Sequence, residues 1–157
     1  MNGVQWQWKT FVTLSVPELY AVVALREAVF IVEQRCPYQD ADGLDADADH
    51  LLGWGEDGRL MAYLRVLAPG VRFEQPSIGR VIVHESARRS GLGRQLMQQG
   101  LQRCAQRWPN QDVALGAQAH LESFYGSLGF ERCSAPYDED GIPHIDMQRA
   151  ARPAGAA

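Results

Sequence analysis

The chain holds 157 residues, 46% of them apolar and 22% charged, which suits one domain with a real core and is too short for two ordinary ones. A net charge of −4 argues against a general nucleic-acid binder, and no stretch approaches the roughly 18 apolar residues of a membrane span. Three cysteines without a CxxC pair (Cys36, Cys104, Cys133), and an N-terminus without the basic and apolar regions of a signal peptide, predict reduced thiols in a cytoplasmic protein and argue against a structural zinc. Trp6–Val12 alternates loosely and reads as a first strand. A helix is predicted over Val16–Gln34, with Ser15 as N-cap, Pro17 and Glu18 in the first turn, and Leu19, Val22, Leu25, Val29 and Val32 along one stripe. Pro37 ends it, and an acidic loop from Tyr38 to Asp49 follows.

His50–Gly55 and Leu60–Leu67 read as a hairpin around Glu56-Asp57-Gly58-Arg59, because Asp-Gly between apolar runs is a turn signal. Ser77–His84 is a strand whose Val81-Ile82-Val83 run suits burial on both faces. Gly91–Trp108 is a helix with Met97, Leu101, Cys104 and Trp108 on one face, stopped by Pro109. Val113–Ala117 is a short strand, and Ala119–Leu128 a helix closed by Gly129. Glu131–Ala135 and Ile142–Arg149 close the chain as two strands around a turn at Tyr137–Gly141. Residues 1–150 thus form one domain of order β-α-β-β-β-α-β-α-β-β, and 151–157 an Ala-rich tail. That order predicts an α/β chain with a mixed sheet of about seven strands and helices on both faces.

The stretch Arg88-Arg89-Ser90-Gly91-Leu92-Gly93-Arg94 opens the second long helix. Glycine turns at helix starts are anion sites, since unpaired N–H groups and the helix dipole point at the ligand. A P-loop would need a lysine at its end, and Lys9 is the only lysine in the chain. A Rossmann turn would need a third glycine or alanine where Leu96 stands. What remains is Arg88-x-x-Gly91-x-Gly93 after a Val-Ile-Val strand. With Phe124-Tyr125-Gly126-Ser127-Leu128-Gly129-Phe130 further on, the sequence resembles the GNAT superfamily of acyl-CoA N-acetyltransferases. The stretches Leu25-Arg26-x-x-Val29-Phe30-x-Val32-Glu33-Gln34, Leu115-Gly116-Ala117-Gln118-Ala119-His120 and Asp140-Gly141-Ile142-Pro143-His144-Ile145 are similar to its ElaA-like bacterial branch.

That resemblance implies a GNAT-like fold with a central splayed sheet, acetyl-CoA as co-substrate, no metal, and direct attack by a primary amine of a small molecule or peptide in a ternary complex. The pyrophosphate would sit on the N–H groups of Arg89, Ser90, Gly91, Leu92, Gly93 and Arg94, with charge from Arg88 and Arg94. The pantetheine arm would add to the strand at Val81, Ile82 and Val83, with an oxyanion donor near Val81 or Ile82. Gln118 takes the place where relatives often carry Asn on the pantetheine. Tyr125 is the general acid that the resemblance implies; on composition alone it reads as core packing, since it shares the apolar stripe of its helix. Glu33 and His120 are candidate bases; His144 and His84 are further candidates, and a water relay is an alternative.

The acceptor side would hold Glu33, Asp42, Asp45 and His144. Five aspartates between Asp40 and Asp49 predict a negative rim and hence a cationic acceptor, unless they form only a solvated loop. Asp45-x-Asp47-x-Asp49 mimics part of a calcium loop, but His50 stands where glycine is required. Neither nucleic acid nor membrane is expected as a partner, and a homodimer is a candidate assembly. Two other functions stay open: an acyl-homoserine-lactone-synthase-like acyltransferase, which the Arg26-x-x-Val29-Phe30-x-x-Glu33 stretch also resembles, and a CoA-binding module without acceptor chemistry.

Overall fold

Ser15 caps the first helix as its sequence predicts: its hydroxyl accepts from Glu18 N at 3.1 Å, and Glu18 Oε1 accepts from Ser15 N at 2.7 Å. A computed structural model describes residues 3–152. In chain order its elements are β1 (Gln5–Thr10), α1 (Val16–Arg26), β2 (Asp49–Trp54), β3 (Leu60–Leu67), β4 (Ser77–Val83), α2 (Leu92–Arg107), β5 (Val113–Gln118), α3 (Glu122–Gly126), β6 (Phe130–Arg132), β7 (Tyr137–Glu139) and β8 (Ile142–Arg149). The strands form one mixed sheet in the order β1-β2-β3-β4-β5-β8-β6, with β7 also paired to β8. Among the described residues only the β4–β5 neighbours run parallel.

The helices cover opposite faces. Val22 and Leu25 of α1 pack on Leu52, Tyr63 and Ile82. Leu92, Leu96, Met97, Leu101 and Cys104 of α2 pack on Leu51, Ala62, Leu64 and Ile78. The period-2 alternation of the strands divides these sets, and β3, buried along its whole length, is the shared middle layer.

Three expectations change. The helix predicted to Gln34 is α-helical only to Arg26; Glu27–Glu33 is π-helical, with Gln34 N bonded to Val29 O and Cys36 N to Ile31 O. Ala119–Leu121 is a 3₁₀ turn leading into a shorter α3. Tyr137–Glu139, read as turn, is an eighth strand, because Asp140 (φ 52°) and Gly141 (φ 83°) close a tight hairpin to β8. Among the described residues no helix is long and apolar enough to cross a membrane.

Candidate active site

The β4–β5 pair is joined at one register point, Ser77 opposite Ala114, with Ala114 N donating to Pro76 O at 2.9 Å. Further along, β4 bulges: Leu64 of β3 stands opposite both Arg80 and Val81, and Arg80 takes φ 51°. A bulge bends its strand and increases local twist. From that point a cleft of about 910 Å³ opens between Ile78–Val83 of β4 and Leu115, Gly116 and Gln118 of β5. Of the expected site residues it gathers Glu33, Asp42, Val81, Ile82, Val83, Arg88, Arg89, Gly91, Gly93, Arg94, Gln118, His120, Tyr125 and His144. Asp45, Ser90 and Leu92 do not line it.

At one end lies the glycine turn. Gly91 is the N-cap of α2 in the left-handed region (φ 85°), and a Cβ there would meet nothing within 4 Å. The turn is therefore open on its outer side while the first amides of α2 face outward. Arg94 donates to Ser127 Oγ at 3.1 Å, and the Ser90 hydroxyl donates to Ala87 O. Leu92 is fully buried beneath α2, so its side chain belongs to the core. Arg88 is not free: Nη1 and Nη2 hold both oxygens of Glu33, and Nε donates to Val83 O at 3.1 Å. Glu33, expected as a base, is thereby already paired. The π-helical segment is what aims it across the cleft.

Tyr125 is 6% exposed on α3, with its ring edge-on to Phe124 and Phe130 at 5.1 and 6.1 Å. Burial pushes its phenol up to about 12, and no group among the described residues hydrogen-bonds its hydroxyl. It is at once a core residue and a cleft residue, so its two readings do not exclude each other. Gln118 Nε2 donates to Gln34 Oε1 at 3.1 Å, a partner the sequence reading missed. The exposed His120 sits on the 3₁₀ turn ahead of α3. His144 Nδ1 lies 2.7 Å from Ile142 O, and Nε2 lies 3.3 Å from Glu139 Oε2.

The acidic loop departs from its expected role as a solvent-facing rim. Asp40 and Asp45 bind Arg26, Asp42 and Asp45 bind Arg65, and Asp40 and Asp42 also meet Arg80. Arg26 and Arg65 are 2% and 1% exposed, so they must be neutralised in place, and the loop carboxylates do this. Burial would raise the Asp45 carboxyl, but hydrogen bonds from Arg26 and Arg65 outweigh it and hold the group below its ordinary value. His50, where a calcium loop needs glycine, is buried between Tyr63 Oη (2.6 Å) and Asp45 O (2.9 Å). Among the described residues no group of three or more His, Cys, Asp or Glu side chains could hold a metal ion.

Residues 22–151 match the Acetyltransferase (GNAT) domain family. The chain is 51% identical to Protein ElaA of Escherichia coli over 148 residues, covering 93% of this chain and 96% of that one. The crystal structure of an acyl-CoA N-acyltransferase from Pseudomonas aeruginosa superposes with a TM-score of 0.89 at 48% identity, covering 94% and 100% of the two chains. A CoA-dependent acyl-homoserine lactone synthase, BjaI, is similar at 17% identity and a TM-score of 0.77 over 96% of this chain and 84% of that one, a likeness of fold alone.

Proposed function

Since this chain belongs to the GNAT acetyltransferase family and is an acyl-CoA-dependent N-acyltransferase, we propose that it moves the acetyl group of acetyl-CoA to a primary amine by direct attack in a ternary complex. The observation that carries this reading is the wedge between β4 and β5, opening at one end onto the bare Gly91 turn. A phosphate-bearing co-substrate fits there. The first amides of α2 and the side chains of Arg89 and Arg94 would hold its pyrophosphate. The edge of β4 at Val81–Val83, which β5 does not pair, would take the pantetheine amides as an added strand, and one of its N–H groups would polarise the thioester carbonyl. Gln118, steadied by Gln34, would offer the arm a further amide partner.

Tyr125 keeps its proton at neutral pH and would hydrogen-bond the sulfur as the C–S bond breaks. The new bond is N–C. The proton lost by the attacking nitrogen ends on the CoA sulfur, with Tyr125 as the donor nearest the leaving group. His144 and His120 are the cleft histidines that could accept a proton from the incoming ammonium, and Glu33 is better suited to fixing Arg88. The decisive experiment follows CoA release from acetyl-CoA with amines, amino acids and peptides, alongside calorimetric binding of acetyl-CoA. Acetyl-CoA bound at micromolar affinity and an amine-dependent release of CoA are the expected results. Absence of acetyl-CoA binding overturns the reading.

A further inference from the structure

Strand alternation along β5 sends Leu115 and Ala117 into the core under α2 and turns Gly116 and Gln118 to the opposite face. Their cross-strand partners on β8 are Asp146 and His144, and β7 adds Tyr137 opposite His144. Tyr137 Oη donates to Asp146 Oδ1 at 2.6 Å, and its ring stacks on His144 with centroids 6.0 Å apart. Gly116 leaves the floor of this basin bare: a Cβ there would stand 3.1 Å from Arg72 Nη2 and 3.3 Å from Tyr137 Oη. The Arg72 guanidinium therefore lies over β5, carried by the 68–76 connection between β3 and β4 and lining the cleft.

Of the other cleft-side arginines, Arg80 and Arg88 are committed to Asp40, Asp42 and Glu33, and Arg89 and Arg94 lie at the glycine turn. Arg72 is not. It faces Glu139 Oε1 at 3.6 Å, beyond hydrogen-bond reach, and none of its N–H groups is hydrogen-bonded among the described residues. Its side chain is 29% exposed. A planar fork of donors held in a cleft suits a carboxylate. Directly beside it, Glu139 and the His144 Nε2 next to that carboxylate offer negative charge and a proton acceptor. The two halves of the basin thus match the two ends of a zwitterion.

We propose that this basin binds the acceptor, and that the acceptor is an amine carrying a carboxylate, such as a free amino acid. Arg72 takes the carboxylate, and Glu139 with His144 takes the ammonium. The inference deepens the acetyl-CoA reading above and rests on it. The ammonium gives one proton to the Glu139–His144 pair and thence to water. The amine then attacks the thioester carbon, the N–C bond forms as C–S breaks, and the proton lost by nitrogen ends on the CoA sulfur.

The test compares common α-amino acids with their carboxamides and with the corresponding decarboxylated amines, reading CoA release at saturating acetyl-CoA. The free acid is expected to exceed its amide by about 10–100-fold in kcat/KM, the range of a charge-assisted hydrogen-bond pair. Arg72→Gln should erase most of that preference, and Arg72→Lys should keep part of it. The turn carrying Arg72 is held by backbone bonds, Gly70 N to Phe73 O and Val71 N to Ala68 O, so these variants keep the fold. Calorimetry separates the two failures. If acetyl-CoA does not bind, the underlying reading falls. If acetyl-CoA binds but acid and amide react alike, if Arg72→Gln slows both equally, or if carboxylate-bearing amines neither bind nor react, this inference alone is overturned.

Discussion

Arg88 and Glu33 meet through both arms of the guanidinium, Nη1 to Oε2 at 2.8 Å and Nη2 to Oε1 at 2.9 Å. The pair ties the π-helical segment after α1 to the turn before α2, so the walls at one end of the cleft are joined by a bidentate contact. Both side chains are more than a third exposed, which limits the pair's contribution to stability to about 0–1 kcal/mol.

Glu33→Gln is therefore expected to leave the melting temperature nearly unchanged and to alter kcat by less than about tenfold, well short of the ~10²–10⁴ lost with a general base. Steady-state kinetics across pH provide the check. A fall of about 10² together with a displaced acidic limb would make Glu33 the base.

Gly91→Asp should abolish acetyl-CoA binding in calorimetry, because it sets a carboxylate at the proposed pyrophosphate position. The protein should still fold, since a Cβ at Gly91 meets nothing within 4 Å. The left-handed φ of 85° adds about 1–2 kcal/mol of backbone strain for a non-glycine residue. Gly91→Ala carries the same strain without the charge and should retain weakened binding, which separates the two effects.

Tyr125→Phe should lower kcat by about 10²-fold while the acetyl-CoA KM stays near wild type. Its ring packing on Phe124 and Phe130 survives, and its hydroxyl has no partner to lose among the described residues, so thermal stability should hold. Burial raises the phenol to about 12, so folding favours the protonated form. That stability is fully present below the unfolded value of about 10 and is lost as pH rises from about 10 through 12. Alkaline melts of wild type and Tyr125→Phe should diverge in that window, with the variant losing less.

Asp45→Asn should destabilise the fold by about 3–5 kcal/mol in urea, because it leaves Arg26 and Arg65 buried with one shared partner gone. The Asp45 carboxyl is held below its ordinary value, so its contribution is present above about pH 4 and is lost as pH falls through the folded value. Wild type should therefore lose stability below about pH 4 more steeply than Asp45→Asn. A variant of unchanged stability and raised acceptor KM would return Asp45 to the acceptor site.

The ends of the elements show where sequence patterns lose force. Ser15 and Glu18 make a capping box from local contacts, and the sequence shows its N-cap serine and the first-turn glutamate. The apolar stripe through Val29 and Val32 runs past Arg26 without a break, yet the backbone there widens into a π-helix. Spacing alone cannot separate the two, since the change lets Glu33 and Gln34 reach partners on α2's leading turn and on β5. Tyr137–Glu139 reads as turn by composition, and it becomes a strand only because β8 supplies its hydrogen-bond partner.

The sequence by itself determined the order of elements as far as β6, the glycine turn at α2, and the family to which the chain belongs, because those depend on residue type and local spacing. Tertiary structure alone decided which charges are spent. The five aspartates between Asp40 and Asp49 look like one acidic face, yet Asp40, Asp42 and Asp45 neutralise arginines 26, 65 and 80, and Asp49 holds Arg103 and Arg107. Arg72 stands in an ordinary loop, yet Gly116, far along the chain, clears the space in which its guanidinium lies over β5. Charge pairing depends on distances a few ångström long between residues distant in sequence, and only the folded chain brings those distances about.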